Sequence, residues 1–338
     1  MQNQAAVMYA PHDIRLEERQ MPQPGPKEVL VQIKAVGVCG SDVHYYEHGR
    51  IGSFIVKSPI ILGHESSGVI VELGSEVTKH RVGERVAIEP GQPCGVCHEC
   101  RSGRYNLCKD VHFYATPPYD GAFTNYALTH EDFAFELPDN LSDEAGALIE
   151  PFSVGIWACQ KGKVTAGSRV LVTGAGPIGL LAMQAAFAFG ATEVIVTDIN
   201  PYRLDAAKRN GATRIINVAE QPLSGENIQA DVLIECSGNQ GSVLEGIKSV
   251  RPAGHVVIVG MSPAEEVKVP MAYLQNHEIT LTGTFRYANT YPTAIALVAA
   301  GKVDLDAMVT ASFSLAEAEE ALQAAQKNPA NIKVVVKP

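Results

Sequence analysis

The stretch Ser168–Asp198, SRVLVTGAGPIGLLAMQAAFAFGATEVIVTD, reads as a strand, a glycine-rich turn, a helix and a second strand. Gly174, Gly176 and Gly179 follow the first apolar run in the spacing G-x-G-x-x-G, where the helix begins. Such glycines allow a tight turn, a close approach of the backbone to a pyrophosphate and close helix–strand packing, and the helix N-terminus adds free N–H groups. The stretch predicts a dinucleotide-binding site; the alternative is a strand–helix turn whose glycines serve packing alone.

Asp198 stands at the end of the second strand, 19 residues after Gly179. A carboxylate at this place hydrogen-bonds the adenosine ribose hydroxyls and repels a 2′-phosphate. The sequence therefore favours NAD over NADP.

Strand and helix patterns keep alternating after about Pro151, which is typical of a parallel sheet with crossover helices. The first third instead carries short Val- and Ile-rich runs bounded by Gly, Pro or Asp, which predict an irregular, mostly-β domain. A chain of 338 residues is also longer than one hydrophobic core usually requires. We therefore predict an α/β protein with a mostly-β domain of residues 1–150, completed by 287–338, and a six-stranded parallel-sheet domain of residues 151–286.

Charge and hydropathy exclude several classes of protein. The 27 basic and 37 acidic residues give a net charge of −10, and no basic cluster stands out, so neither nucleic acid nor an anionic membrane is an expected partner. The apolar runs fall short of the ~18 residues of a membrane span. The first residues lack the pattern of a secretory signal, and the seven cysteines are an odd number, so we expect a cytoplasmic protein whose clustered cysteines bind metal.

Four of the seven cysteines lie in PGQPCGVCHECRSGRYNLC, from Pro90 to Cys108. Cys94, Cys97, Cys100 and Cys108 have the spacing Cys-x2-Cys-x2-Cys-x7-Cys, which is compact enough for four sulfurs to converge on one tetrahedral ion. Four thiolates fill the coordination shell of zinc, so this pattern predicts a structural zinc site. An iron–sulfur cluster is the alternative.

A second set of ligands is spread over VGVCGSDVH and LGHESSG. Cys39, His64 and Glu65 offer one thiolate, one imidazole and one carboxylate, which leaves zinc one exchangeable position for water or an alcohol. The alternatives are that Cys39 is a core cysteine and that His64 is a hydrogen-bonded turn residue.

VCGSDVH, GHE, the four-cysteine loop and GAGPIG occur in the order of the zinc-dependent medium-chain dehydrogenases, and the resemblance covers essentially the whole chain. It implies that the mostly-β domain is GroES-like and that the other is a doubly wound Rossmann domain. HYYEHGRIGSFIV, ATPPYDG, ALIEPFSVGIWAC and TFRYANTYP closely resemble the polyol-oxidising branch of that family, the sorbitol dehydrogenase type. Several animal members lack the four cysteines, whereas this chain keeps them all.

The resemblance implies a role for individual residues. It implies a catalytic zinc at Cys39, His64 and Glu65, with Glu150 beside the zinc as a further metal or water contact, Asp42 against the imidazole, and Ser41 and His44 as proton relays. The implied substrate contacts are Tyr45, Glu150, Arg286 and Tyr287. The implied cofactor contacts are Gly174, Gly176, Pro177, Ile178, Gly179, Asp198, Arg203, Val259, Gly260, Met261, Thr284, Phe285 and Arg286.

The expected activity is oxidation of a polyol such as sorbitol or xylitol to its ketose, in which zinc activates the hydroxyl and NAD takes the hydride. The resemblance also implies a homotetramer with one catalytic and one structural zinc per chain. The alternatives are a dehydrogenase of another alcohol, such as L-threonine, and a non-catalytic NAD-binding protein.

Overall fold

Two units of different architecture make up the chain. The computed structural model describes residues 2–262, 264 and 266–338. The first unit, here the split unit, comprises Met1–Glu150 and Tyr291–Pro338. The second, here the parallel-sheet unit, comprises Pro151–Thr290.

Short strands dominate the first 150 residues, as predicted. Up to the end of the helix that contains Pro151, the elements are β1 (Asn3–Ala10), β2 (Asp13–Arg19), β3 (Glu28–Gly37), α1 (Gly40–His48), β4 (Arg50–Ile51), β5 (Phe54–Ile55), β6 (Ile60–Ile61), β7 (Glu65–Leu73), β8 (Arg85–Ile88), β9 (Gly91–Gln92), α2 (His98–Arg101), β10 (His112–Phe113), β11 (Tyr126–His130), β12 (Ala134–Glu136) and α3 (Asp143–Lys161).

Strands and helices then alternate. The elements are β13 (Arg169–Thr173), α4 (Pro177–Ala188), β14 (Glu193–Asp198), α5 (Pro201–Arg209), β15 (Arg214–Asn217), β16 (Ala230–Glu235), α6 (Gln240–Lys248), β17 (Val250–Ile258), α7 (Met271–Asn276) and β18 (Thr280–Gly283). The last segment adds α8 (Tyr291–Ala299), β19 (Val309–Ser314), α9 (Ala318–Lys327) and β20 (Lys333–Lys337).

The six strands of the parallel-sheet unit lie in the order β15-β14-β13-β16-β17-β18, and every neighbouring pair is parallel. This is the doubly wound order, in which the chain starts at the centre of the sheet and reverses direction after three strands. The strands are apolar along most of their length because helices cover both faces of such a sheet. The parallel sheet predicted from the sequence is confirmed.

The main sheet of the split unit has the order β12-β8-β7-β3-β20-β19, with β11 also paired to β3. β20 pairs antiparallel with β3, Val335 opposite Gly37, so the C-terminal segment completes a sheet begun by the first residues. Its core includes Val31, Ile33 and Phe123, all fully or almost fully buried. This pairing brings residues about 300 positions apart into one layer, and it joins β20 to the end of β3, which Cys39 follows.

None of the helices in residues 2–262, 264 and 266–338 combines the length and apolar character needed to cross a bilayer.

Candidate active site and dinucleotide site

Cys39, His64 and Glu65 lie together where β3 ends and β7 begins. Their donor atoms are all within 4.8 Å of one another. The antiparallel pairing of β3 with β7 sets Gly37 opposite Glu65, so the residues after one strand meet those before the other. His64 and Glu65 are buried, and Cys39 is half-buried. Three protein donors of mixed type are typical of a zinc site that keeps one position open.

Asp42 ties the two ligand-bearing segments to each other. The backbone N–H of Cys39 donates to its Oδ2 at 2.9 Å, and the backbone N–H of Gly63 donates to its Oδ1 at 2.9 Å. Oδ1 also lies 3.7 Å from Nδ1 of His64. A carboxylate beside one ring nitrogen orients the imidazole and leaves the other nitrogen for a metal. The resemblance implied the contact with the imidazole; the two backbone contacts are found only in the structure.

Lys333, on β20, is a buried cation beside the same site. Its Nζ donates to Oε1 of Glu65 at 2.6 Å and to the carbonyl of Val38 at 2.9 Å. Oε2 of Glu65 forms an ion pair with the same nitrogen at 2.5 Å but has no aligned hydrogen-bond donor in the described part of the chain. Gly37 makes room for the carboxylate, because a Cβ at that position would lie 2.0 Å from Oε2. A buried carboxylate oxygen with no aligned donor fits a metal ligand.

The charges around these residues favour a bound cation. Burial acts to lower the pKa of His64, but the charges of Asp42 and Cys39 outweigh it and raise that pKa well above its ordinary value. Burial also opposes the charged form of Lys333, yet nearby negative groups, Glu65 first among them, raise its pKa. Both shifts reflect a negative potential that a divalent cation would neutralise. The donor set and its surroundings therefore fit zinc.

The other residues predicted for this site lie on α1 and α3. Glu150 is buried in α3 and is not one of the three clustered donors, but its charge contributes to the raised pKa of Lys333. The predicted residues of α1 differ in exposure: Tyr45 is buried, Ser41 is half-buried and His44 is exposed.

The four cysteines of the loop converge as their spacing predicted. The Sγ atoms of Cys94, Cys97, Cys100 and Cys108 all lie within 4.8 Å of one another, with Cys97 and Cys100 3.4 Å apart. Backbone N–H groups of Val96 and Cys97 lower the pKa of the Cys94 thiol to about 7. All seven cysteines of the chain are free thiols. Four converging sulfurs, one of them held by N–H donors, fit a metal ion whose shell is filled.

Tyr105 connects this cysteine loop to a buried acid. It lies between Cys100 and Cys108, and its hydroxyl donates to Oε1 of Glu89 at 2.8 Å. Burial raises the pKa of Glu89 to about 7; the hydrogen bond from Tyr105 opposes this rise and the charge of Glu150 adds to it. The sequence predicted no role for Glu89, which directly follows an ordinary β-strand and directly precedes the cysteine loop.

Glu89→Gln is expected to stabilise the chain at alkaline pH. The pKa of wild-type Glu89 is about 7 in the folded state and about 4.5 in the unfolded state. The contribution of Glu89 to the free energy of unfolding is therefore fully present below pH 4.5 and is lost as the pH rises through 7. The neutral amide avoids this loss, which amounts to about 3 kcal/mol for a pKa rise from about 4.5 to about 7. Urea unfolding at pH 5 and pH 8 measures it. The exposed Glu76→Gln is the control, and parallel pH curves for the two variants would contradict the prediction.

The predicted glycine-rich turn joins β13 to α4. Gly174 has φ +89°, a conformation that favours glycine. A Cβ on Gly179 would lie 1.8 Å from the carbonyl oxygen of Gly174, whereas a Cβ on Gly176 would meet no atom within 4 Å. Gly179 thus permits close helix–strand packing, and Gly176 faces open space at the start of α4. Pro177 occupies the first turn of that helix, and Ile178 beside it is half-buried. This turn fits a pyrophosphate.

A cavity of about 520 Å³ lies beside this turn. Of the predicted cofactor residues, Gly174, Gly176, Asp198 and Arg203 line it. Further lining residues that the sequence analysis missed include Val218, Leu223, Ser237, Asn239 and Glu245. Among them, the apolar Val218 and Leu223 follow β15. The sequence indicated a role in binding only weakly for these two, because apolar residues are equally typical of a hydrophobic core.

Asp198 is engaged by backbone groups. Its Oδ2 accepts from the N–H of Ala175 at 2.7 Å, and its Oδ1 accepts from the N–H groups of Ile199 and Asn200 at 2.8 Å. The carboxylate therefore holds the glycine-rich turn in addition to the ribose-binding role predicted for it.

Asp198→Ala is expected to reduce the preference for NAD over NADP by about tenfold or more, because the ribose hydrogen bonds and the repulsion of a 2′-phosphate disappear together. The melting temperature should fall as well, since the N–H of Ala175 loses its acceptor. Steady-state kcat/KM for both cofactors and a thermal melt measure the two effects. The exposed Asp205→Ala, on α5, is the control. An unchanged cofactor ratio would count against the ribose-binding role.

The other predicted cofactor residues follow β17 and β18. The N–H groups of Val259 and Gly260 both donate to the carbonyl of Glu235 at 2.8 Å. Met261 is exposed, and Thr284 donates through Oγ1 to the carbonyl of Ile258 at 3.1 Å.

The predicted segment Phe285, Arg286 and Tyr287 has an unusual backbone. Arg286 has φ +53°, in the left-handed region that non-glycine residues seldom adopt. Its guanidinium carbon lies 4.9 Å from the centre of the exposed ring of Phe285, whereas Tyr287 is buried. Such backbone strain persists where surrounding contacts or function require it.

Two protein-family models match the chain: the alcohol dehydrogenase GroES-like domain over residues 25–139 and the zinc-binding dehydrogenase domain over residues 177–300. The chain therefore belongs to the zinc-binding dehydrogenases that carry an alcohol dehydrogenase GroES-like domain. The fold class implied by the sequence motifs is confirmed.

Within that family the chain is similar to sorbitol dehydrogenases. The sorbitol dehydrogenase of Bacillus subtilis is 47% identical over 341 residues, which cover 99% of this chain and 97% of that protein. The human sorbitol dehydrogenase is 43% identical over 343 residues, with 99% and 96% covered. A solved Escherichia coli oxidoreductase of unknown specificity has a TM-score of 0.95 at 37% identity, with 100% and 99% covered. The resemblance to the polyol-oxidising branch is confirmed.

Proposed function

We propose that this chain is a zinc- and NAD-dependent polyol dehydrogenase, which oxidises a secondary hydroxyl of sorbitol, xylitol or a similar polyol to the ketose. The observation that carries the proposal is the convergence of Cys39, His64 and Glu65 in a largely buried, negatively charged site that has three protein donors among the described residues. The similarity to sorbitol dehydrogenases supports a polyol as the substrate.

In this proposal Cys39, His64 and Glu65 hold the zinc, which supplies the Lewis acidity that lowers the pKa of a hydroxyl group. Asp42 fixes both ligand-bearing backbone segments and the imidazole. Lys333 balances the charge of Glu65, so that the buried carboxylate is not left unpaired. Together these groups hold the ligands in place before the substrate arrives.

The other proposed roles concern the proton and the substrate hydroxyls. Ser41 and His44 carry the proton outward, and the exposed imidazole of His44 can pass it to solvent. The proposed contacts with the polyol hydroxyls are Tyr45, Glu150, Arg286 and Tyr287. Polar and charged contacts of this kind discriminate a polyol from a simple alcohol, because a substrate lacking the hydroxyls leaves them unpaired.

The dinucleotide is proposed to lie along the glycine-rich turn and the adjoining cavity, where NAD supplies the hydride acceptor. Gly176 leaves open space for the pyrophosphate at the start of α4. Asp198 and Arg203 line the part of the cavity proposed for the adenosine. The four cysteines are proposed to hold a structural zinc, a choice that the zinc-binding family supports over an iron–sulfur cluster.

NADH fluorescence tests the proposed activity. Purified chain with saturating NAD is mixed in turn with sorbitol, xylitol, arabinitol and L-threonine, and we expect NADH to form with at least one polyol at a kcat/KM well above that for threonine. Turnover of threonine alone would move the chain to a different substrate class. No turnover of any alcohol, with intact zinc and NADH binding, would favour a non-catalytic role.

We further propose a homotetramer. β18 is one of the two edge strands of the parallel sheet, and Leu281 on it is exposed. An edge strand with an exposed apolar side chain is suited to pairing with another copy. Light scattering at micromolar concentration is expected to give about four times the chain mass of 36.1 kDa, and a monomer would refute the proposal.

The proposed site of action is a reducing compartment, the cytoplasm. All seven cysteines are free thiols, and the seven proposed ligands include five of them. Cysteine side chains bind zinc as thiolates, which exist only while the cysteines are reduced. Zinc release on mild oxidation, measured with a chromogenic chelator, is the expected behaviour, and indifference to oxidation would remove the argument.

A further inference from the structure

Glu235 is a buried carboxylate that the proposed mechanism does not use. It ends β16 and is fully buried. Its Oε1 accepts from Oγ1 of Thr173 at 3.2 Å, from the N–H of Ser237 at 3.0 Å and from the Ser237 hydroxyl. The N–H of Gly238 lies 3.2 Å from Oε1 and 3.1 Å from Oε2. All its donors in the described part of the chain are neutral, so the side chain acts as an acceptor for several backbone and hydroxyl groups at once.

These donors lie in or next to two segments that contribute residues to the cavity lining. Thr173 immediately precedes Gly174, the first glycine of the turn, and Ser237 and Gly174 both line the cavity. The hydrogen bonds extend from Glu235 through Ser237 to Asn239, because Oγ of Ser237 accepts from the N–H of Asn239 at 3.1 Å. Asn239 in turn caps α6 and lines the cavity.

The backbone of Glu235 reaches a third loop. Its carbonyl accepts the N–H groups of Val259 and Gly260, so side chain and backbone together join the ends of β13, β16 and β17. The loops are also in close contact: a Cβ on Gly260 would lie 2.4 Å from the nitrogen of Gly238, and one on Gly238 would lie 2.2 Å from the carbonyl oxygen of Met261. Loops packed this tightly cannot move independently, so a displacement of one is passed to the others.

We infer that Glu235 is a positioning residue of the dinucleotide site, which fixes the glycine-rich turn, the Ser237–Asn239 loop and the Val259–Met261 loop in the arrangement that receives the cofactor. This inference rests on the proposed function, since it assigns the cofactor to this cavity. Glu235 itself does not line the cavity and acts through its neighbours.

The chemistry of the side chain makes the inference testable. A carboxylate only accepts hydrogen bonds, whereas an amide of the same shape presents one N–H₂ donor. In Glu235→Gln, an amide nitrogen in place of Oε1 faces the donors of Thr173 and Ser237, and one in place of Oε2 lies against the N–H of Gly238. A buried donor opposite another donor costs more than the lost hydrogen bond, so the loops should shift to relieve it.

The experiment measures NADH binding by fluorescence in the full-length chain. Glu235→Gln is expected to raise the Kd for NADH by about tenfold or more. The KM for NAD should rise in parallel, while the KM for the polyol at saturating NAD and the zinc content stay at wild-type values. Glu320→Gln, exposed on α9, is the matched control and should bind NADH as wild type does.

A lowered melting temperature with an unchanged Kd for NADH would overturn the inference, because Glu235 would then be a purely structural acid. If the Gln variant does not fold, Thr173→Val decides, because it removes one donor to Glu235 at a position that does not line the cavity. An unchanged Kd in that variant would likewise overturn it, and a rise of about threefold would support it. Failure of wild type to bind NADH would instead contradict the proposed function.

Discussion

Cys39→Ser should lower kcat/KM on the order of a thousandfold or more, since loss of an outer-shell partner of a metal ligand already costs about 10- to 100-fold. The hydroxyl of serine is a much weaker zinc ligand than a thiolate. The remaining His64 and Glu65 are two protein donors, too few to retain the ion. The variant should stay folded, because Cys39 is only half-buried and the Asp42 contact is to its backbone N–H. NADH binding should persist, because the proposed dinucleotide residues belong to the parallel-sheet unit.

Metal analysis, NADH titration and steady-state kinetics on one preparation test this result. Wild type is expected to contain about two zinc ions per chain and Cys39→Ser about one. Cys159→Ala is the control, since Cys159 is buried away from both ligand sets and the change should leave both zinc ions in place. Full turnover by Cys39→Ser with two zinc ions retained would show that this residue is not a ligand.

Cys100→Ser is expected to act on stability. The four-cysteine loop has short helical segments and few buried residues of its own, so the bound ion has to supply much of the free energy that orders it. Loss of that ion should lower the free energy of unfolding by a few kcal/mol. Because each kcal/mol lowers the melting temperature by about 2–4 °C, the melting temperature should fall by roughly 10 °C. Molecules that remain folded should keep substantial specific activity, because four thiolates leave no position for substrate.

The order of loss on heating distinguishes the two sites. Activity and zinc content are measured while the protein is heated. Cys100→Ser should unfold at a lower temperature than wild type and lose its activity as it unfolds. The contact of Tyr105 with Glu89 gives a path by which a displaced loop could disturb the neighbourhood of Glu150, so a partial loss of activity should accompany the lower stability. A stable but inactive Cys100→Ser beside an active Cys39→Ser would reverse the assignment of the two sites.

Residues close together in the sequence were predicted best. Gly174, Gly176 and Gly179 fall within six positions, and Cys94 to Cys108 within fifteen, so chain connectivity alone limits how far apart their atoms can lie. Alternation of strands and helices likewise predicted the parallel sheet, because the hydrophobic period changes with the type of element. Motif order then implied the family and its ligand set.

The sequence by itself therefore determined the glycine-rich turn, the four-cysteine cluster and the two types of domain. Only the tertiary structure decided which polar groups meet across the fold: Lys333 reaches Glu65 over 268 residues, Tyr105 reaches Glu89, and Glu235 joins three loops. A buried charge needs a partner, but burial does not specify where in the sequence that partner stands. The pairing of β20 with β3 and the convergence of three parallel strand ends supply the partners, and both depend on contacts between distant parts of the chain.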